Sequence, residues 1–237
     1  DKGIYEPHFI LLDDGALACF YANEKHVTEN PSYSQIISEK ISYDGGYTWS
    51  SEIWVAWNPS NSRSRPGMPV ITKMANGRYI VVFEVVGPEG GKIYYKTSND
   101  GKTWSSGIGN VIPHQQQAPY ITSLSDGRLV VTSCNQNISV SSDFGATWVL
   151  DSNPWNFGLD QNNLCWNSVY QIGPDEIASV VSAPRAVGGH NCQIKFAPMS
   201  SLTQGVLGQI ARFESNNYGG HFIRHYEARA RIDSNIS

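Results

Sequence analysis

A chain of 237 residues with 40% hydrophobic and 11% aromatic side chains carries enough apolar material to bury a core, which excludes disorder as its resting state. Charged residues make up only 16%, and 22 Gly and 12 Pro punctuate the chain, a composition that suits many short strands and turns better than long helices. A net charge of -4 leaves no electrostatic footprint for nucleic acid or an anionic membrane, and the longest apolar runs, such as Tyr79 to Val86, fall far short of the roughly 20 residues that cross a bilayer.

In chain order, the first element is Pro7-His-Phe-Ile-Leu-Leu-Asp-Asp14-Gly15 followed by the apolar run Ala16 to Tyr21. The same template returns at Pro69 to Asn76-Gly77, followed by Arg78 to Phe83, and at Pro119 to Asp126-Gly127, followed by Arg128 to Thr132. A strand, a tight turn that uses the positive φ open to Gly, and a returning strand account for each copy. A fourth, degraded copy runs from Ser168 through Pro174-Asp175-Glu176 to Val181.

After each of the first three hairpins comes a second element. Ser42-x-Asp44-x-Gly46-x-Thr48-Trp49 recurs as Thr97-x-Asn99-x-Gly101-x-Thr103-Trp104 and as Ser141-x-Asp143-x-Gly145-x-Thr147-Trp148. The Asp or Asn accepts backbone N–H bonds inside the turn, the Gly takes a left-handed conformation, and the Trp packs the hairpin against the sheet. These elements resemble the Asp-box (BNR) repeats of sialidase-like β-propellers. The expected fold is therefore all-β: a sialidase-like six-bladed propeller with about four blades in this chain, spanning residues 1–208 and lacking about two blades upstream.

Alternating strand directions put the Asp-Gly turns and the second set of turns on one face of the disc. Residues just before each Pro, and those seven to nine after each Gly, fall on the opposite face around the central funnel. That rule selects Glu6, Glu24, Arg65, Glu84, Gln117, Arg185 and the loop at His190. Glu6 and Glu84 come from adjacent blades, and hydrolysis of a glycosidic bond needs such a carboxyl pair. Burial among Val82, Phe83, Val85 and Val86 would raise the pKa of Glu84, while charge from Arg65 would lower it; funnel-wall carboxylates without a reaction are the alternative reading. Trp166 and Tyr120 stand close to strand entries, where an aromatic face can meet the C–H surface of a sugar or simply fill the core. His8, inside a strand, reads as structural.

Tyr5-Glu6-Pro7 with its Asp-Gly hairpin, Tyr21-x-Asn23-Glu24, Arg65-Pro66-Gly67-Met68-Pro69 and Val82-Phe83-Glu84 together resemble glycoside hydrolase family 93, the exo-1,5-α-L-arabinanases. The resemblance covers roughly Gly3 to Leu207. It implies a retaining enzyme that releases arabinobiose from linear arabinan, with Glu6 as general acid/base and Glu84 as nucleophile. The tail, residues 209–237, contains Phe213-Glu-Ser215-x-Asn217, Phe222-Ile-Arg-His225 and Arg231-Ile-Asp233, and resembles the opening of an arabinofuranose-binding β-trefoil module.

A non-catalytic glycan-binding propeller is one alternative; a sialidase is another, although no Phe/Tyr-Arg-Ile-Pro motif or arginine triad is visible. No cofactor or metal is expected, because none of the four cysteines sits at metal-ligand spacing. Buried thiols and one disulfide, Cys165 to Cys192, are both open. The sequons Asn137-Ile-Ser139 and Asn235-Ile-Ser237 hint at a secreted protein, and a monomer is expected of the complete ring.

Overall fold

The computed structural model describes residues 2–135, 137–155, 157–158, 165–184, 188–202, 213–214, 221–226 and 229–234. The chain divides into two compact units, Asp1–Gly205 and Val206–Ser237.

In the first unit, sheet one is β1 (Ile4–Leu11), β2 (Leu17–Asn23), β3 (Ile36–Ser42) and β4 (Ile53–Ala56). Sheet two is β5 (Arg65–Lys73), β6 (Tyr79–Val86), β7 (Lys92–Ser98) and β8 (Asn110–Gln116). Sheet three is β9 (Tyr120–Ser123), β10 (Leu129–Thr132), β11 (Asn137–Ser141) and β12 (Val149–Ser152). The fourth contains β13 (Cys165–Gly173), β14 (Glu176–Pro184) and β15 (His190–Pro198), so among the described residues it has three strands rather than the four expected. All are antiparallel meanders in sequence order, which is the blade of a propeller. Short 3-10 turns at Lys25–Thr28 and Met199–Ser201 are the helical segments among the described residues. The second unit holds one antiparallel sheet of β16 (Phe213–Glu214), β17 (His221–Tyr226) and β18 (Arg229–Ser234).

The registers confirm which rim carries what. Leu17 pairs with Leu11 and with Ser42, so the Asp-Gly turn and the turn at Asp44 share one rim, while Tyr5, opposite Ala22, lies toward the other. In the second blade Tyr79 pairs with Ser98, and Glu84 pairs with Gly67 at the far end.

The three turns share one hydrogen-bond pattern. Asp44 Oδ1 accepts the Thr48 N–H at 2.8 Å and its Oδ2 the Thr48 hydroxyl at 2.6 Å, while Ser42 Oγ accepts the Gly46 N–H at 2.8 Å. Asp143, Thr147, Ser141 and Gly145 repeat it. In the second blade the expected residues Thr97 and Asn99 do not take part. Ser98 and Asp100 do: Asp100 Oδ1 accepts the Thr103 N–H at 2.8 Å and Ser98 Oγ the Gly101 N–H at 2.9 Å. The turn there is one residue shorter between its carboxylate and its glycine, so counting back from Trp104 lands one position early. Asn99 is exposed.

Two further expectations change. Cys192 is a free, exposed thiol and Cys134 is disulfide-bonded, so the pair Cys165–Cys192 is not formed. Asn137 is a half-buried residue of β11, and Ser139, 1% exposed, accepts from Gln115 Nε2 at 2.8 Å, so this sequon is built into a sheet rather than presented on a loop. Asn235 to Ser237 lie outside the described residues.

Asp100→Ala should cost about 1–3 kcal/mol, since it strands turn N–H groups, whereas Asn99→Ala should leave the urea midpoint unchanged; equal effects would reject the shorter register. Glu39, fully buried in β3, accepts from Trp104 Nε1 at 2.8 Å, and burial pushes its carboxyl up to about 8. Between its unfolded pKa near 4.5 and about 8 the folded state holds the extra proton, so this group's contribution is full below that window and is lost as pH rises through it. Urea denaturation should therefore show stability falling across that range by up to about 1.4 kcal/mol per pH unit, with a flatter profile in Glu39→Gln. The same slope in both proteins would count against it.

Candidate active site in the funnel

The four inner strands are interrupted at equivalent places. Glu6, Met68, Ala118 and Trp166 all have left-handed backbones, with φ of 57, 51, 45 and 54°. In β1, β5 and β13 this residue lies inside a register shift, between Tyr5 and His8, Gly67 and Val70, and Cys165 and Ser168; Ala118 stands just ahead of β9. A β-bulge of this kind breaks the ladder and re-aims the side chains beside it. Here the re-aimed residues surround one cavity of about 210 Å³, lined by Glu6, His8, Met68, Tyr120, Trp166 and Asn167 among others.

Glu6 is exposed to this cavity, and its Oε2 accepts the N–H of Met68, on the next blade, at 2.6 Å. Glu84, half-buried on β6, accepts the N–H of Ala118, on the blade after its own, through Oε2 at 2.9 Å. Burial raises the pKa of Glu84 above the ordinary carboxylate range, the Ala118 N–H opposes that rise, and the charge of Glu6 adds to it. The two carboxylates are therefore close enough for the charge of Glu6 to act on Glu84.

Arg65 is an ion-pair partner for a carboxylate, one of the two parts open to it, but the carboxylate is Glu24 rather than Glu84: its guanidinium bonds Glu24 at 2.7 Å and the side-chain carbonyl of Gln35 at 2.8 Å. Glu24 also accepts from the Gly3 N–H and the Tyr5 hydroxyl, and Arg65, aided by these bonds, holds its carboxyl below the usual range. Glu24 and Arg65 thus form a strut between blades one and two, beside the carboxylate pair.

Trp166, 63% exposed, presents its indole at the cavity. Tyr120 lies across from it, half-buried, with ring contacts to His8 and Tyr170 at 6.4 and 5.2 Å, and burial beside Tyr170 raises its hydroxyl pKa. Gln117 is left-handed as well, but its work is in the backbone: its N–H donates to Gly91 at 2.8 Å and its carbonyl accepts the Cys134 N–H at 3.0 Å. Gln117 does not line the cavity, and neither does His190, exposed at the start of β15 on the third strand of its blade. Arg185 lies outside the described residues.

Three residues were missed by sequence reasoning. His8 lines the cavity, with Nδ1 accepting the Ile71 N–H at 3.4 Å and burial lowering its pKa so that the ring stays neutral. Asn167, 1% exposed, also lines it. Gln35 is buried and its Nε2 donates to the Pro66 carbonyl at 2.7 Å. The inner-strand repeat places His8 one position after Pro7, as Tyr120 follows Pro119, a signal that could have found it.

Fold and funnel together define four blades of a sialidase-like β-propeller, with Glu6 in the lining of the cavity and Glu84, bonded to the lining residue Ala118, behind it. No family model and no curated protein sequence matches the chain. Solved structures do. An α-L-arabinanase of Penicillium chrysogenum, complexed with arabinobiose, superposes with a TM-score of 0.70 at 19% identity over 85% of this chain and 59% of its own. The GH93 α-L-arabinofuranosidase of Fusarium graminearum, also complexed with arabinobiose, gives 0.69 at 20% identity over 86% and 60%. A mutant of NanB sialidase from Streptococcus pneumoniae gives 0.57 at 16% identity over 82% and 31%. At these identities the likeness is one of fold, and the chain spans about 60% of the two arabinan-related structures.

Removing the Arg65 guanidinium should release Glu24. In Arg65→Met, the Glu24 carboxyl followed by carbon NMR should titrate at higher pH than in the wild type; an unchanged titration would show that Arg65 is not its controlling partner.

Proposed function

We propose that this chain belongs to the catalytic propeller of a glycoside hydrolase that cleaves linear 1,5-α-L-arabinan with retention, releasing arabinobiose from the chain end. The observation that carries the reading is the pair Glu6 and Glu84, from adjacent blades at one funnel, each oriented by a backbone N–H and coupled through their charges. The resemblance to GH93 at these two motifs and the propeller likeness to arabinan-related structures support it.

In such a reaction one carboxylate attacks the anomeric carbon as the other, protonated, gives its proton to the departing glycosidic oxygen. Water then attacks the glycosyl ester, losing a proton to the second group, and the first carboxylate leaves. The resemblance gives Glu6 the proton-transfer role and Glu84 the attack. The raised pKa of Glu84 favours the reverse order, since the acid must hold its proton. Trp166 offers a flat apolar surface for a furanose ring. A neutral sugar suits the cavity better than a sialic acid: its described lining has a carboxylate and a neutral imidazole, and Arg65 is engaged by Glu24. The tail fits a module that binds arabinofuranose, and polymeric substrate fits a secreted monomer.

On linear arabinan, Glu84→Gln and Glu6→Gln should each lower kcat by at least about 100-fold. With an activated aryl arabinofuranoside and azide, the alanine variant of the attacking residue should yield a glycosyl azide of inverted configuration, and that of the acid/base one of retained configuration. Inversion from Glu84→Ala supports the order given by the resemblance; inversion from Glu6→Ala supports the reverse. Full activity in either alanine variant would eliminate the pair, and binding of arabinan by the wild type without turnover would leave a glycan-binding propeller.

A further inference from the structure

Met68 and Ala118 stand one residue ahead of the inner-strand prolines Pro69 and Pro119, at φ of 51 and 45°. A following proline drives a residue toward extended backbone, and a left-handed conformation at a residue with a Cβ costs on the order of 1–3 kcal/mol. The expense falls at the same place in three blades, Glu6 ahead of Pro7 being the third at 57°. In β5 the ladder is broken there, with its register shifting between Gly67 and Val70; the Ala118 N–H lies just ahead of the β9 ladder. What the turns at Met68 and Ala118 do is direct an N–H across the seam to the preceding blade, where Met68 meets Glu6 and Ala118 meets Glu84. Both bonds engage Oε2, which leaves Oε1 of Glu6, in the lining of the cavity, as an oxygen that a ligand can use.

The fourth blade separates cause from consequence. Trp166 is left-handed at 54°, yet its neighbour Asn167 is approached from the preceding blade by the Thr132 hydroxyl, which donates to its carbonyl. The turn therefore belongs to the inner strand and forms without a carboxylate opposite. Glu6 and Glu84 sit where two of these turns supply a donor.

The approach of Glu6 depends on one more residue. A Cβ on Gly67 would stand 2.9 Å from Gln35 Nε2 and 3.3 Å from Glu6 Oε2, so only glycine lets both side chains close over the strand. Gln35, holding the Pro66 carbonyl and the Arg65 guanidinium, fixes this segment from the other side.

We infer that Met68 and Ala118 are positioning residues whose backbone N–H groups aim Glu6 and Glu84 into the funnel, and that Gly67 is the gap through which Glu6 reaches its donor. The inference rests on the carboxylate-pair reading given above. Each bond fixes one carboxylate oxygen and so the direction of the other, a constraint that matters because a misplacement of about 1 Å at a reacting group can cost about 100-fold in rate. Among the described residues, the charged and titratable groups around the pair are the two glutamates themselves, His8 on β1, Tyr120 on β9 and the Arg65–Glu24 strut.

The test deletes each N–H without touching a side chain, by replacing the amide at 68 or 118 with a backbone ester in the intact protein, beside Gly67→Ala. With arabinan oligosaccharides, kcat should fall by about 100-fold in all three while KM stays within about threefold. The ester at 118 should also move to higher pH the limb of the kcat/KM profile that Glu84 sets, the acid limb if it attacks and the alkaline limb if it is the acid, because the bond that opposes burial of Glu84 is gone. Wild-type kcat and pH profile in the 118 ester and in Gly67→Ala, with Glu84→Gln inactive, would overturn the inference and leave the parent reading standing. Full activity in Glu84→Gln would overturn both. If the esters do not fold, Gly67→Ala decides, since its methyl meets only side-chain ends and the strand can keep its course.

Discussion

Blade stacking is the constraint from which the rest of the first unit follows. A four-stranded meander has two faces and no core of its own, so each blade must bury its faces against its neighbours. The apolar clusters lie between successive blades: Phe20, Ile37 and Val55 with Ile71, Val81 and Phe83; Ile80, Val82 and Ile93 with Ile121, Leu129 and Val131; and Val130, Ile138 and Val140 with Val169, Ile177 and Val181. The strand β6 shows how this is encoded. Val81 and Phe83 enter one seam and Ile80 and Val82 the other, so a strand buried on both sides reads as a run, Tyr79 to Val86, apolar at every position but Glu84. The tryptophans of the second set of turns follow the same rule. Trp104 crosses to Phe20 and Glu39 of the preceding blade and Trp148 to Tyr95, while Trp49 of the first blade lies against Phe9 of its own β1.

A seam of this kind also admits polar groups, and their company separates scaffold from site. Lys96, 3% exposed, donates to the carbonyls of Val55 at 2.6 Å, Gly107 at 3.0 Å and Ser105, and burial lowers it to about 8. Glu39 is raised more plainly than Glu84. Neither Lys96 nor Glu39 bonds a residue of the cavity lining, whereas Glu84, outside that lining itself, bonds Ala118 within it. Strong perturbation alone marks a buried polar group that ties two blades together; only perturbation beside an accessible cavity points to chemistry.

The repeat was legible because its physics is local. Pro, Asp-Gly and the Ser-Asp-Gly-Thr-Trp spacing each encode a turn or strand within a few residues, and from them the rims, the inner strands and the placement of Glu6 and Glu84 follow. The chain was silent where partners come from another blade. Nothing near Arg65 in sequence distinguishes Glu24 from Glu84 as its partner, and Gln35 enters only because its loop returns over the next blade. The Asp100 register was hidden by a single missing residue in an otherwise regular template. Gln117 was selected for its position by the rim rule, but that rule cannot say whether a residue serves by its side chain or, as here, by its backbone. The cysteine pairing failed for the same reason as Arg65: sequence separation carries no information on which blade faces which.

These seams also set the proton balance of the funnel. The Arg65–Glu24 strut keeps the nearest guanidinium engaged with another carboxylate, and burial leaves His8 neutral. Glu84 is consequently raised by its own burial and by Glu6, with a backbone dipole rather than a full positive charge opposing the rise. A dipole fixes direction without fully stabilising the ionised form, so Glu84 holds its proton to higher pH than an isolated glutamate would. For the hydrolase proposed above, a carboxyl that holds its proton beside a second carboxyl is what acid-assisted displacement at an acetal carbon demands. A full positive charge in place of the Ala118 N–H would instead favour the ionised form of Glu84.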